Sequence, residues 1–140
     1  MINEIETDIL SEDIKEKLAE HAGLAYPSEC CGILFGKYDD NGIVKILDIK
    51  EAENLSDSSY SKSDNDPYSN YEMSPLQIYK AEKEYFRKGL EIVGFYHSHP
   101  DKAAVLSEKD KAGMMPGLYY AVLSVTEYGY KEVRAWKKEI

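Results

Sequence analysis

The apolar positions change period several times along the chain, and each change predicts a new element. After Ser11, Ile14, Leu18 and Ala22 recur at helical spacing, so a helix capped by Ser11 is expected to run to about Ala25. Glu12 and Asp13 fall in its first turn, where the positive end of the helix dipole favours acids. Pro27 and Ser28 break the pattern, and the apolar run at residues 30–35, CCGILF, reads as a buried strand. Asn41-Gly42, inside a turn over residues 38–42, is a strong hairpin signal; residues 43–49 return as a strand, with further extended chain toward Leu55.

The pattern then lapses. Residues 56–72, SDSSYSKSDNDPYSNYE, are rich in Ser, Asp, Asn and Tyr and poor in aliphatics, which predicts a long flexible polar loop: a surface excursion or a substrate-facing flap. Periodicity resumes at Ser74-Pro75-Leu76-Gln77, a capping box with proline at the first helical position, and a helix should follow to about Lys88, ending at Gly89. Residues 91–97, EIVGFYH, read as a strand, Ser107 opens a short helix containing Asp110, and residues 118–126 and 130–136 are two strands around a turn at Gly129. Helices and strands are interspersed without internal repeats, which predicts an α/β fold with a mixed central sheet flanked by helices.

The length of 140 residues predicts one domain spanning the chain, large enough to bury a core without disulfides. A net charge of −9 and a pI near 4.8 repel phosphate backbones and anionic lipid, which argues against nucleic-acid or membrane partners. No apolar run approaches the roughly 20 residues that cross a bilayer, and the opening MINEIETDIL lacks a signal-peptide core, so a cytoplasmic location is expected. Cys30 and Cys31, the only cysteines, are adjacent and poorly placed to bridge, which suits a reducing compartment and two small buried thiols.

The candidate chemistry lies where the strand over residues 91–97 ends. Residues two apart on a strand share a face, so His97 and His99 present both imidazoles to one point while Ser98 turns away and Pro100 fixes the exit of the chain. Asp110 follows His99 by eleven residues, in the first turn of the next helix, and the intervening loop can bring its carboxylate to the imidazoles. Three protein ligands with an open position are the pattern of catalytic zinc, and the absence of thiolate argues against a closed structural site. The zinc-bound water needs a general base, for which a carboxylate is the usual solution. Glu29, at the mouth of the CCGILF strand, is the best candidate, although spacing alone does not single it out among the acids.

His97-Ser98-His99, seven residues, Ser107, two residues and Asp110 reproduce the H-x-H-x7-S-x2-D pattern of the JAMM motif. The segment Glu29-Cys30-Cys31-Gly32-Ile33-Leu34-Phe35-Gly36 resembles the E-x-C-G-x-L-x-G strand that carries the family's glutamate, and Gly94-Phe95-Tyr96 is similar as well. The chain therefore resembles the MPN-domain metalloproteases from about Ser11 to Trp136. The resemblance implies an MPN-type domain of cytidine-deaminase-like architecture, Zn2+ held by His97, His99 and Asp110, Glu29 as proton shuttle, and Ser107 helping to hold the water or the oxyanion. Only seven residues separate Asp110 from Leu118, so the chain looks closest to the compact bacterial and archaeal members. These act on ubiquitin-like proteins or sulfur carriers with Gly-Gly-type C-termini, and a tail of that kind could add as a strand along a sheet edge. One departure is Leu106, where proline often precedes the motif serine.

The competing reading is a non-catalytic MPN-type module that binds a ubiquitin-like protein; retention of every ligand and the glutamate favours the enzyme. A nucleobase deaminase would need P-C-x-x-C ligands, which are missing. A RadC-like DNA role is disfavoured by the acidic charge and the lack of a helix-hairpin-helix segment. His21 is expected as a partly exposed helix residue without a site role. Phe95, Tyr96, Tyr119, Tyr120 and Trp136 are expected to pack in the core or on the sheet, and Tyr60, Tyr68 and Tyr71 to anchor the polar loop or contact a partner.

Overall fold

The computed structural model describes residues 1–56 and 71–140. Its elements are β1 (Ile2–Ile5), α1 (Glu12–Ala25), β2 (Cys31–Tyr38), β3 (Val44–Ala52), α2 (Pro75–Phe86), β4 (Glu91–Pro100), α3 (Glu108–Ala112), β5 (Tyr119–Thr126) and β6 (Gly129–Lys138), with a 3-10 turn at Thr7–Ile9. The six strands form one sheet in the order β1-β6-β5-β4-β2-β3. Only β4 and β5 run parallel; every other neighbouring pair is antiparallel. This is the mixed α/β sheet that the interspersed pattern predicts.

Local chemistry accounts for the element ends. Ser11 caps α1 by accepting the Ile14 N–H at 3.2 Å, as expected. The β2–β3 turn closes through Asp39, whose carboxylate accepts the Asn41 and Ile43 N–H groups while Gly42 takes a positive φ of 78°. At α2 the expected capping box is only half made. Ser74 Oγ accepts the Gln77 N–H at 3.3 Å, but the Gln77 side chain turns away to accept the Glu53 N–H at 3.1 Å, tying α2 to the end of β3. Strand β1 carries no strand pattern in the sequence, because its apolar residues Ile2 and Ile5 are three apart and give no alternation. Its pairing with β6 is supported by a bidentate Arg134–Glu4 ion pair at 2.8 Å. Strand β4 runs three residues past the expected end and carries both histidines within its ladder.

The two faces of the sheet bury different layers. On one, Ile14, Leu18 and Ala22 of α1 pack against Leu34, Tyr96, Ala121 and Leu123. On the other, Ile33 and Phe35 meet Ala81 and Tyr85 of α2, with the Phe35 and Tyr85 rings stacked at 4.0 Å. A third cluster, with Leu106, Met114, Tyr120, Val122 and Trp136, anchors the segment around α3. Leu106 thus holds that loop by apolar packing. Gly94 is required by the parallel pair: a Cβ there would overlap the carbonyl oxygen of Tyr119. No helix among the described residues is long and apolar enough to cross a membrane. Of the expected polar loop, residues 57–70, including Tyr60 and Tyr68, lie outside the described residues.

Candidate metal centre

His97 and His99 stand on one face near the C-terminal end of β4, between β2 and β5, and are 1% and 2% exposed. Ser98 faces the opposite side, as period-two geometry requires. Its Oγ accepts the Cys30 N–H at 2.8 Å, and its own N–H donates to the Cys30 carbonyl at 3.0 Å. This exchange extends the β2–β4 register beyond Cys31↔His97, so Glu29 falls opposite His99 on the face that carries both imidazoles. Glu29 is buried, and one of its oxygens lies with ring nitrogens of His97 and His99 in a group whose members are all within 4.8 Å of one another. The pairing of two strands, not sequence spacing, selects Glu29 from the acids.

Asp110 arrives from α3. Ser107 Oγ accepts the Asp110 N–H at 3.0 Å, and Asp110 Oδ2 accepts the Ser107 N–H at 2.9 Å, a complete capping box. The motif serine and aspartate are therefore a helix cap whose acidic member is aimed by the cap itself. That same Oδ2 lies 3.0 Å from His97 Nε2 and 3.1 Å from His99 Nε2, and the two nitrogens are 3.2 Å apart. Metal–ligand bonds of about 2.0–2.2 Å at tetrahedral angles separate ligand atoms by about 3.3–3.6 Å. The three atoms thus span a triangle slightly smaller than one face of such a tetrahedron.

Proton placement points the same way. His99 Nδ1 lies 3.2 Å from the Ala103 carbonyl, which can only accept, so the neutral ring carries its proton on Nδ1. Its Nε2 lone pair then faces the Asp110 carboxylate, an arrangement that a cation between them makes favourable. Burial lowers the His97 pKa despite the opposing hydrogen bond and charge of Asp110, favouring the neutral ring that metal binding would require. For Asp110 burial acts upward, but its polar neighbours, the two imidazoles and the Ser107 N–H, outweigh it and hold the carboxyl well below the usual carboxylate range. The donor set of two imidazoles and a carboxylate fits a zinc-like divalent ion.

The surroundings fix this geometry. The β4–α3 loop is tied by Asp101 N–H to Val125 O at 2.7 Å, by Ser124 Oγ to Lys102 O at 2.6 Å, and by the Tyr26 hydroxyl to the Asp101 carboxylate. Asn54 donates to the Glu29 carbonyl at 3.1 Å and accepts from the Ser56 and Glu72 N–H groups. Tyr71 stacks on His97 with ring centroids 4.4 Å apart. A cleft of about 500 Å3, lined by Tyr71, Met73, Phe95, Met115 and Tyr120, opens beside Asp110. Sequence reasoning gave no place to Asn54 or to the Ala103 carbonyl, and no local pattern marks either. Tyr71 was visible as an aromatic on a polar segment. Burial pushes the Cys30 thiol up to about 11 and Cys31 to about 12, which makes both poor nucleophiles near neutrality, as expected. His21 is partly exposed, as expected, and meets the Tyr96 hydroxyl at 2.7 Å, on the α1 side of the sheet.

Fold and site together define an α/β protein with a buried imidazole–carboxylate cluster at the end of a parallel strand. The family model for prokaryotic homologues of the JAB domain matches residues 11–138, and the chain belongs to that family. The protein named Desampylase from Pyrococcus furiosus is 34% identical over 110 residues, which cover 77% of this chain and 65% of that protein. This chain thus spans a little under two thirds of that relative's length. A second Desampylase, from Haloferax volcanii, is 28% identical over 120 residues, covering 82% of this chain and 78% of the relative. A solution structure of a protein from Salinibacter ruber aligns with a TM-score of 0.67 at 30% identity, covering 91% of this chain and 79% of that one.

Proposed function

We propose that the protein is a JAMM-type zinc metallopeptidase that hydrolyses a peptide, isopeptide or related acyl bond after the C-terminal tail of a ubiquitin-like or sulfur-carrier protein. The observation that carries this reading is the convergence of His97 Nε2, His99 Nε2 and Asp110 Oδ2 within 3.0–3.2 Å, with Glu29 across the strand pair. Similarity to two proteins named Desampylase supports this reading.

In this mechanism His97, His99 and Asp110 hold the ion. Zinc in such a site polarises the scissile carbonyl and lowers the pKa of water toward ~7. Glu29 takes a proton from the attacking water and delivers it to the leaving amine, and its burial keeps that transfer away from bulk solvent. Ser107 Oγ is engaged as an acceptor by the Asp110 N–H, so its hydroxyl proton remains to be donated to the water or the oxyanion. The apolar cleft beside Asp110 offers contact area to the substrate chain.

The test is cleavage of a panel of ubiquitin-like C-terminal adducts by wild type and Glu29→Gln, with metal content measured in both. Glu29→Gln should keep its metal and lose about 10²- to 10⁴-fold in turnover. Equal turnover would remove Glu29 from the mechanism, and a metal-loaded wild type that cleaves no adduct would leave the binding module as the better reading.

A further inference from the structure

The two histidines are held in different ways. His99 has its outer nitrogen fixed by the Ala103 carbonyl, the usual arrangement by which a second partner sets the tautomer and orientation of a ligating ring. His97 lacks that support: its Nδ1 is buried with no hydrogen-bond partner among the described residues. What it has instead is a ring. Tyr71 lies over His97 at 4.4 Å with an interplanar angle of 21°, a stacked pair. The backbone that carries Tyr71 is itself fixed, because the next residue, Glu72, donates to Asn54 Oδ1 and accepts the Leu55 N–H at 2.8 Å. Asn54 also holds the carbonyl of Glu29.

We infer that Tyr71 is a positioning residue that orients His97 by stacking, in the role that a hydrogen bond to the outer nitrogen plays for His99. The inference rests on the reading of His97 as a metal ligand. A stacked aromatic pair restricts the tilt of the imidazole plane and so keeps Nε2 directed at the point it shares with His99 and Asp110. The phenol hydroxyl is not needed for this, and the flat ring is. Burial raises the Tyr71 pKa, with the Asp110 charge acting in the same direction, so the ring stays neutral over the site.

The test is zinc affinity, read by competition with a chromophoric chelator, in the wild type, Tyr71→Phe, Tyr71→Leu and His97→Ala. Tyr71→Phe keeps the stack and should bind within about twofold of wild type, whereas Tyr71→Leu, apolar but not flat, should bind about 3- to 10-fold more weakly. Equal affinity in Tyr71→Leu and wild type overturns the inference, as does a loss in Tyr71→Phe as large as that in Tyr71→Leu. If the wild type takes up no zinc, or His97→Ala binds as tightly as wild type, the ligand reading beneath it fails instead.

Discussion

Replacing Ser98 by alanine separates the role of strand pairing from the role of the ligands, because Ser98 lies between the two histidines yet faces away from them. Its hydroxyl is fully buried and accepts the Cys30 N–H at 2.8 Å. Alanine fits the space but leaves that N–H without an acceptor in the interior, which costs about 1–3 kcal/mol. The reciprocal bond from Ser98 N–H to the Cys30 carbonyl uses backbone only and survives, so the register of β2 on β4 should hold. For a chain of this size a loss of about 2 kcal/mol lowers the melting temperature by about 4–8 °C. The measurement is urea and thermal unfolding of metal-stripped wild type and Ser98→Ala, since bound metal would add its own binding energy to the native state. A change under about 0.5 kcal/mol, the size expected of an exposed site, would refute the claim that this bond anchors the Glu29 end of β2 to β4.

Two further outcomes follow from the site. Asp110→Ala should lower zinc content per chain and also cost about 1 kcal/mol of stability through the lost cap, whereas Asp110→Asn, which can still accept the Ser107 N–H, should weaken zinc binding with little loss of stability; elemental analysis and unfolding curves separate the two, and full zinc occupancy in Asp110→Ala would count against its ligand role. Burial raises the Cys30 and Cys31 thiols to about 11 and 12, so both stay protonated until pH rises toward those values, and an alkylating reagent at pH 8 should label them only after denaturation. Rapid labelling of the folded protein would contradict their burial.

The parts of this molecule that sequence reveals are those in which one residue's chemistry is local. The Ser11 and Ser107 caps, the Asn41-Gly42 turn and the alternation that puts His97 and His99 on one face each follow from residues within a few positions of one another. The half-made box at α2 marks the limit of that reasoning. Ser74 and Gln77 have the right spacing, but the end of β3 offers Gln77 a backbone donor, and a tertiary partner overrides the local one. The same limit explains Glu29. Nothing near it in sequence distinguishes it from the chain's other acids; the resemblance to the JAMM proteins named it, and physically it is selected only when Cys30 and Ser98 exchange hydrogen bonds across two strands. Asn54 and Tyr71 are further still from local prediction. Their roles depend on how the chain re-enters the fold at Glu72, and the site is assembled where that re-entry, the β2–β4 ladder and the α3 cap meet. The identity of the proposed ligands is therefore written in short motifs, while their orientation is a property of long-range contacts. Substitutions at Asn54 and Tyr71 should accordingly disturb zinc binding or turnover without removing any of the proposed ligand atoms.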